Sequence, residues 1–403
     1  MRVITDDERR ARLGARHALA APAASVEEAA AAVVCLHATE PANAYLSAFA
    51  RTGAPHAEMD RALYEDRTIV RQLAMRRTAF VFPRDLLPAV LGSASARVAA
   101  QLAARLAKEV EANGIADDGD GVAWVDDVCA QALAQIREQP MTTAQLRAAV
   151  PELGRRLVLS PGKRWEAEVP VASRVVATAA AQGTVVRGRN DAGWKVSRPF
   201  WTATEDWLST SPEPLDERAG YAELVARWLA RFGPGTEADV VWWLGATKGA
   251  VRRALADVGA VPVALEDGSP AWLHPEDTEE VPASAPWAAL LPALDPTTMG
   301  WKERGFYLGE HAAAIVDRNG NAGPTAWWDG RIVGGWTQRE DGAVVVVPAG
   351  ILPRAARRPL TAAAEQLTAW LDGDVVRTIY QSPLVRAMAA EAAAATAEDD
   401  PGG

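Results

Sequence analysis
One order of elements recurs three times along this chain, in segments whose residues are otherwise dissimilar: three helices in succession, then two short strands joined by a turn. The middle segment spells it most clearly. Val125–Glu138 carries apolar residues at helical spacing through Val128, Ala132, Leu133 and Ile136, and stops before Pro140. Met141-Thr142-Thr143 caps a short helix over Ala144–Val150, and a third helix over Val171–Ala181 ends at Gly183, where a left-handed cap is easiest for glycine. Thr184–Gly188 and Trp194–Arg198 then alternate as strands around Arg189-Asn190-Asp191-Ala192-Gly193. In the third segment, Tyr221–Phe232 places Leu224, Val225, Trp228 and Leu229 on one face, Gly235-Thr236 opens Glu237–Leu244, and Thr247 caps Lys248–Val258. Val261–Leu265 and Ala271–His274 flank the turn Asp267-Gly268. The first segment is looser, with helices over Val26–Leu36 and Ala57–Glu65 and strands over Ile69–Met75 and Arg77–Phe82 around Arg76.

Helix, turn, helix and then a hairpin "wing" is the winged-helix plan, in which the later helix enters the major groove and the wing touches the flanking backbone. The remainder differs. Ala285–Gly350 is rich in Gly, Pro, Trp and Val, with turns at Asp317–Gly320, Asp329-Gly330 and Asp341-Gly342, a spacing that suits a small barrel or curled sheet. A final helix over Thr361–Leu371 packs on it, and Asp399–Gly403 is expected to be disordered. The expected architecture is therefore α+β: three tandem winged helix-turn-helix modules over residues 1–115, 122–205 and 215–280, then a β-barrel-like domain with a C-terminal helix over 285–395.

At 403 residues the chain is too long for one ordinary core. Its net charge of −10 argues against a polyanionic partner, until the distribution is read. Glu109–Asp127 holds seven acidic residues and no Lys or Arg, whereas Arg155–Arg198 holds nine basic residues against three acidic ones. The acid lies in linkers and the base in particular modules. The N-terminus is charged from its second residue and lacks the apolar region of a signal peptide, no uncharged apolar run of membrane-spanning length follows, and the two cysteines, Cys35 and Cys129, have no metal-ligand spacing. A reduced cytoplasmic protein, nucleoid-associated when on DNA, without a membrane partner, metal or cofactor, is the expectation.

Several stretches together resemble the bacterial winged-helix DNA glycosylase family typified by AlkZ and YcaQ. They are Leu36-His37-Ala38-Thr39-Glu40-Pro41 with Tyr45-Leu46-Ser47 and Ala50-Arg51, Leu63-Tyr64-Glu65-Asp66-Arg67, Arg71-Gln72-Leu73-Ala74-Met75-Arg76, Leu291-Pro292-Ala293-Leu294-Asp295-Pro296, and Trp328-Asp329-Gly330-Arg331-Ile332-Val333-Gly334-Gly335-Trp336. The resemblance implies winged helices and a β-barrel around duplex DNA, a monomer, and hydrolysis of the N-glycosidic bond of N3- or N7-alkylated purines or crosslinks. It also implies a catalytic Gln-hydrophobic-Gln or Gln-hydrophobic-Asp motif after the first helix. Here that motif reads His37-Ala38-Thr39.

Three readings of His37 stand open: catalysis, a contact with DNA and a structural role. If Leu36–Glu40 is extended, His37 and Thr39 point to one side, so that His37 activates a water and Thr39 positions it. Alternatively, His37 caps the C-terminus of the preceding helix, where the dipole favours imidazolium. Glu40 is a second candidate base, although its place before Pro41 reads rather as an N-cap or ion-pair residue. Phosphate-contact candidates are Arg76 and Arg77 at the first wing, Lys163 and Arg164 before the middle third helix, and Arg187, Arg189 and Lys195 on the middle wing. Lys248, Arg252 and Arg253 on the last helix of the third module complete the set. Trp328, with Trp327 and Arg331 about the Asp329-Gly330 turn, is a candidate wedge against DNA, with core packing as the plainer alternative. The rival functions are a DNA-binding protein without catalysis and an operator-binding regulator.

Overall fold
A computed structural model describes residues 1–398; Asp399–Gly403 lie outside the described residues. The chain divides into two compact units that are not consecutive in sequence. One comprises residues 1–60, 225–243 and 255–403, the other residues 61–224 and 244–254.

The second unit is built on the middle segment. Helix Gly121–Glu138 buries Val125, Val128, Cys129, Ala132 and Ile136, the stripe expected of a 3.6-residue period. It packs in one core with Leu146 of helix Thr143–Ala149 and with Val175, Val176 and Ala179 of helix Ala172–Gln182. Thr142 and Gln145 form a reciprocal capping box, and Gly183 closes the third helix in the left-handed conformation. The helical run Arg84–Ala112 is long and apolar enough to cross a membrane, but its Leu106, Ala107 and Val110 belong to this same core. Two features depart from expectation. The second strand of the expected wing hairpin is Pro199–Ala203, because residues 191–198 form a loop closed by the Asp191 N–H donating to the Arg198 carbonyl at 2.7 Å. An additional hairpin, Arg156–Leu159 with Ala167–Pro170, carries Lys163 and Arg164 in its turn.

The hairpin around Arg76 is present, as Ile69–Ala74 paired antiparallel with Thr78–Pro83. Arg76 and Arg77 both take positive φ, 54° and 60°, to make its tip.

In the other unit, helix Val26–Ala32 ends four residues before the expected Leu36. Val34 takes a φ of 65°, which stops the helix and sends Leu36–His37 out as a short strand. Val261–Leu265 and Pro270–Leu273 form the expected hairpin, and Val3–Ile4 adds to it in parallel. Four antiparallel strands, Ala288–Leu291, Thr325–Trp328, Arg331–Gln338 and Val344–Pro348, pair in chain order. The helix expected over Thr361–Leu371 begins earlier, at Arg354, and carries Pro359 inside; a further helix, Pro383–Glu398, follows.

Helix Pro41–Thr52 is the element that positions the candidate site. Glu40 is extended, as a residue before proline should be, and Pro41 opens the helix at the position where its missing N–H costs nothing. The helix is anchored by a fully buried ion pair. Arg51 Nη2 donates to Asp295 Oδ1 at 2.8 Å and Nη1 to Oδ2 at 2.9 Å, with both side chains wholly inaccessible. Ser47 Oγ donates to the same carboxylate at 2.5 Å, and the Thr297 N–H at 2.9 Å. Burial alone would raise the Asp295 pKa, but the Arg51 charge and these hydrogen bonds outweigh it and hold the carboxyl below its ordinary range. Arg51 also donates to Thr297 Oγ1, which meets His17 Nδ1 at 2.9 Å, while His17 Nε2 lies 3.1 Å from the Arg231 carbonyl. Burial, aided by the Arg51 charge, drives the His17 imidazole down to about 3.

Two outcomes follow from this network. Asp295→Ala strands a buried guanidinium and is expected to cost about 3–5 kcal/mol in urea unfolding, while replacing Arg51 and Asp295 together by apolar residues recovers most of that. His17 is neutral when folded, yet takes a proton when unfolded below pH ~6.5, so stability falls with pH from there toward 3 at up to about 1.4 kcal/mol per unit. The Asp295 contribution is lost in the same direction, below its unfolded value of about 3.9. His17→Asn should flatten the profile between pH ~6.5 and ~4; an unchanged slope there would mean that another group carries the acid dependence.

Candidate active site and nucleic-acid interface
Residues 36–40 leave strand geometry quickly. His37 closes the short strand and is buried, at 7% exposure, whereas Thr39 lies in the following bend and is exposed. The expectation that an extended run puts the two side by side is therefore corrected: the run bends at Thr39-Glu40 to enter the helix at Pro41. The helix-cap reading of His37 is corrected as well, since the preceding helix ends at Ala32.

Glu40 occupies the N-cap position without capping through its side chain. Its carboxylate instead accepts from Thr378 Oγ1 at 2.6 Å, from the Ile379 N–H at 2.9 Å and from Asn43 Nδ2 at 3.2 Å. These bonds tie the His37–Thr39 segment to the stretch before the last helix and occupy Glu40 structurally. A cavity of about 50 Å³ lies beside them, lined by Asn43, Leu46, Trp336, Gln338, Thr378 and Gln381.

The basic candidates separate by unit. In the unit built on the middle segment, Arg77, Lys163, Arg164, Arg189, Lys195, Lys248, Arg252 and Arg253 are exposed, while Arg76 and Arg187 are partly buried. Gly245, at a φ of +63°, lies against Arg76, where a Cβ would come within 3.2 Å of Arg76 Cγ. That contact brings the tip bearing Arg76 and Arg77 to the loop that opens the Lys248 helix. Arg187 lies 5.0 Å from the Trp201 ring centroid and donates to Ser197 Oγ at 3.3 Å. Arg189 pairs with Glu65 at 3.0 Å and lies over the Tyr64 ring, so part of its charge is already engaged.

Trp328 and Arg331 belong to the other unit and pair across the Asp329-Gly330 turn. Arg331 is exposed, 3.8 Å from Asp7, and Trp328 is partly buried. Trp327 is fully buried, stacked near Trp287 and bonded through Nε1 to Thr325 Oγ1 at 2.8 Å, so it is a core residue. Among the described residues, no group of three His, Cys, Asp or Glu side chains gathers as a metal site. Sequence reasoning did not single out Arg71 as a buried charge, although it stands inside the apolar strand Ile69–Ala74 and opens one of the stretches that carry the family resemblance.

The Glu40 arrangement is testable by hydrogen exchange. The Ile379 amide, bonded to Glu40, should be protected in the wild type and exchange roughly ten-fold faster or more in Glu40→Ala; equal rates would show that Glu40 does not hold that segment.

A family model described as DNA glycosylase AlkZ-like matches residues 30–370. The interstrand DNA cross-link repair glycosylase of Streptomyces sahachiroi is 30% identical over 169 residues, which make up 40% of this chain and 43% of that protein. The alignment thus spans less than half the length of that curated relative. The solved structure of Streptomyces sahachiroi DNA glycosylase AlkZ matches with a TM-score of 0.69 at 19% identity, covering 93% of this chain and 98% of that one, a likeness of fold. Because the family model covers most of the sequence, the chain belongs to the DNA glycosylase AlkZ-like family.

Proposed function
We propose that this protein is a DNA-repair glycosylase that hydrolyses the N-glycosidic bond of N3- or N7-alkylated purines, or of crosslinked bases, in duplex DNA. The observation that carries this reading is the family match over residues 30–370, which includes the His37–Thr39 segment and the buried Arg51–Asp295 pair. The name of the Streptomyces relative, a cross-link repair glycosylase, supports crosslinks as substrates. In this reading three winged-helix modules present the basic residues to the duplex, and a β-barrel-like domain completes the architecture, acting as a monomer.

The chemistry asks little acid catalysis of the protein. An alkylated purine is already cationic, so the C1′–N bond breaks with its electron pair neutralising the departing base. Water then forms the new bond to C1′ and must lose a proton. His37 is assigned to accept that proton as neutral imidazole, and Thr39, exposed two residues on, to orient the water. The three hydrogen bonds that Glu40 accepts support giving the base role to His37 and not to Glu40.

Base release from a 7-methylguanine duplex tests this. His37→Ala is expected to lose about 10²–10⁴-fold in single-turnover rate, as for removal of a general base, and Thr39→Ala to lose less. Full activity in His37→Ala removes it from the mechanism. The burial of His37 favours a second reading, a DNA-binding protein that does not hydrolyse; absence of base release by the wild type, with duplex binding intact, selects it. Binding itself should be salt-dependent, and each of Arg77→Ala, Lys248→Ala and Arg252→Ala should reduce the slope of log K against log salt by about 0.9 if the residue meets a phosphate. A slope equal to that of the wild type assigns the residue to the solvated surface.

A further inference from the structure
The strand Ile69–Ala74 holds a charge in its interior. Arg71 is only 4% exposed, and its Nε, Nη1 and Nη2 are all buried without a hydrogen-bond partner. Its neighbour Gln72 shows the ordinary arrangement: Nε2 donates to Ser95 Oγ at 2.8 Å and to the Ala180 carbonyl at 2.6 Å. A buried guanidinium with no acceptor is costly, because the water it gave up is replaced by nothing.

A second cation worsens the position. The wing strand Val185–Asn190 packs on Ile69–Ala74 and brings Arg187 within electrostatic reach of Arg71. Burial pushes the Arg187 pKa down to about 10, with the Arg71 charge adding to it, so Arg187 still holds its proton at neutral pH. Its polar contact is the Ser197 hydroxyl, and among the described residues neither arginine pairs with a carboxylate. Two further groups on this junction are unsatisfied. Tyr64 Oη, in the helical turn that packs on the same strand, is buried without a partner, and so are both ends of the Asn190 carboxamide. Arg189 lies over the Tyr64 ring at 5.1 Å, joining that turn to the wing strand.

Arg71, Tyr64 Oη and Asn190 Nδ2 are donors without acceptors, and Arg187 has only a hydroxyl and the Trp201 ring for its charge; such a set is the complement of an anion with several oxygens. We propose that Arg71 and Arg187, with Tyr64 and Asn190 on the same hairpin–wing junction, form a site for one phosphate-type oxyanion. Arg71 is the centre of the site, since its planar fork matches two oxygens of one phosphate. The shared chemistry is supplied either by a phosphodiester of the DNA strand or by a free phosphate.

The test has two arms on the full chain. In the first, inorganic phosphate is titrated against chloride at equal ionic strength, with calorimetry and thermal unfolding as readouts. The wild type is expected to bind saturably, and Arg71→Met and Arg187→Met each to weaken binding about ten-fold or more. Arg71→Met should leave the ligand-free Tm unchanged or higher, because it removes an unpaired buried charge. The second arm, which rests on the DNA-binding reading above, measures duplex affinity in phosphate-free buffer; each variant should lower it and reduce the salt slope by about 0.9. Effects in both arms, or in the duplex arm alone, identify the DNA backbone as occupant, and effects in the first arm alone identify free phosphate. Absence of both overturns the site, as does a large drop in Tm in Arg71→Met with phosphate binding retained. If Arg71→Met does not fold, Arg71→Lys, which keeps the charge but not the fork, and Arg187→Met carry the comparison. Base release is read in neither arm, so the site is tested even in a chain that excises nothing.

Discussion

The ion pair between Arg51 and Asp295 is the constraint on which the candidate site depends. Two charges have left water completely, and that is tolerable because Ser47 Oγ and the Thr297 N–H donate to the carboxylate while Thr297 Oγ1 and the Ser47 carbonyl accept from the guanidinium. The pair locks helix Pro41–Thr52 to the segment that begins the four-stranded sheet, and the last residues before that helix are Thr39 and Glu40. The position of His37 and Thr39 is thus tied to a network that is wholly buried. His17 extends the network and converts it into an acid-sensitive element, since below pH ~6.5 its imidazole stays neutral only while it is buried.

Glu40 completes the arrangement from the other side. A carboxylate beside a candidate catalytic histidine invites a role in proton transfer, but its oxygens already accept from Thr378, Ile379 and Asn43. It holds the stretch before the last helix. The difference between His37 and Thr39, one buried and one exposed, arises because the chain must bend before Pro41 to place a helix there.

The electrostatics of the second unit reconcile a net charge of −10 with a nucleic-acid partner. Exposed Arg77, Lys163, Arg164, Lys248, Arg252 and Arg253 supply a solvated positive surface, while Arg189 spends part of its charge on Glu65 and Tyr64. Arg71 and Arg187 are of another kind: their cost in the free protein is what a bound oxyanion would offset.

Much of the local structure was legible in the sequence, because it rests on interactions within a few residues. The stripe of helix Gly121–Glu138, the Thr142 cap, the Gly183 stop, the hairpin around Arg76 and the entry at Pro41 all follow from periodicity and backbone preference. Where local signals were ambiguous they misled. Trp194–Arg198 alternates like a strand but is a loop, because the pairing residues are Pro199–Ala203, whose Trp201 fills the core. The motifs that carried the family resemblance, with Ser47, Arg51 and Asp295 among them, were visible as residues but not as a network. A pair separated by more than two hundred positions in the chain acquires its meaning only when folding removes both charges from water. By itself the sequence determined the family resemblance and many of the elements, but not helix Pro41–Thr52, the hairpin Arg156–Leu159 with Ala167–Pro170 or the last helix. The tertiary structure alone decided which charges are buried, which are satisfied and which still lack a partner, because desolvation is a property of the packed chain and not of any stretch of it.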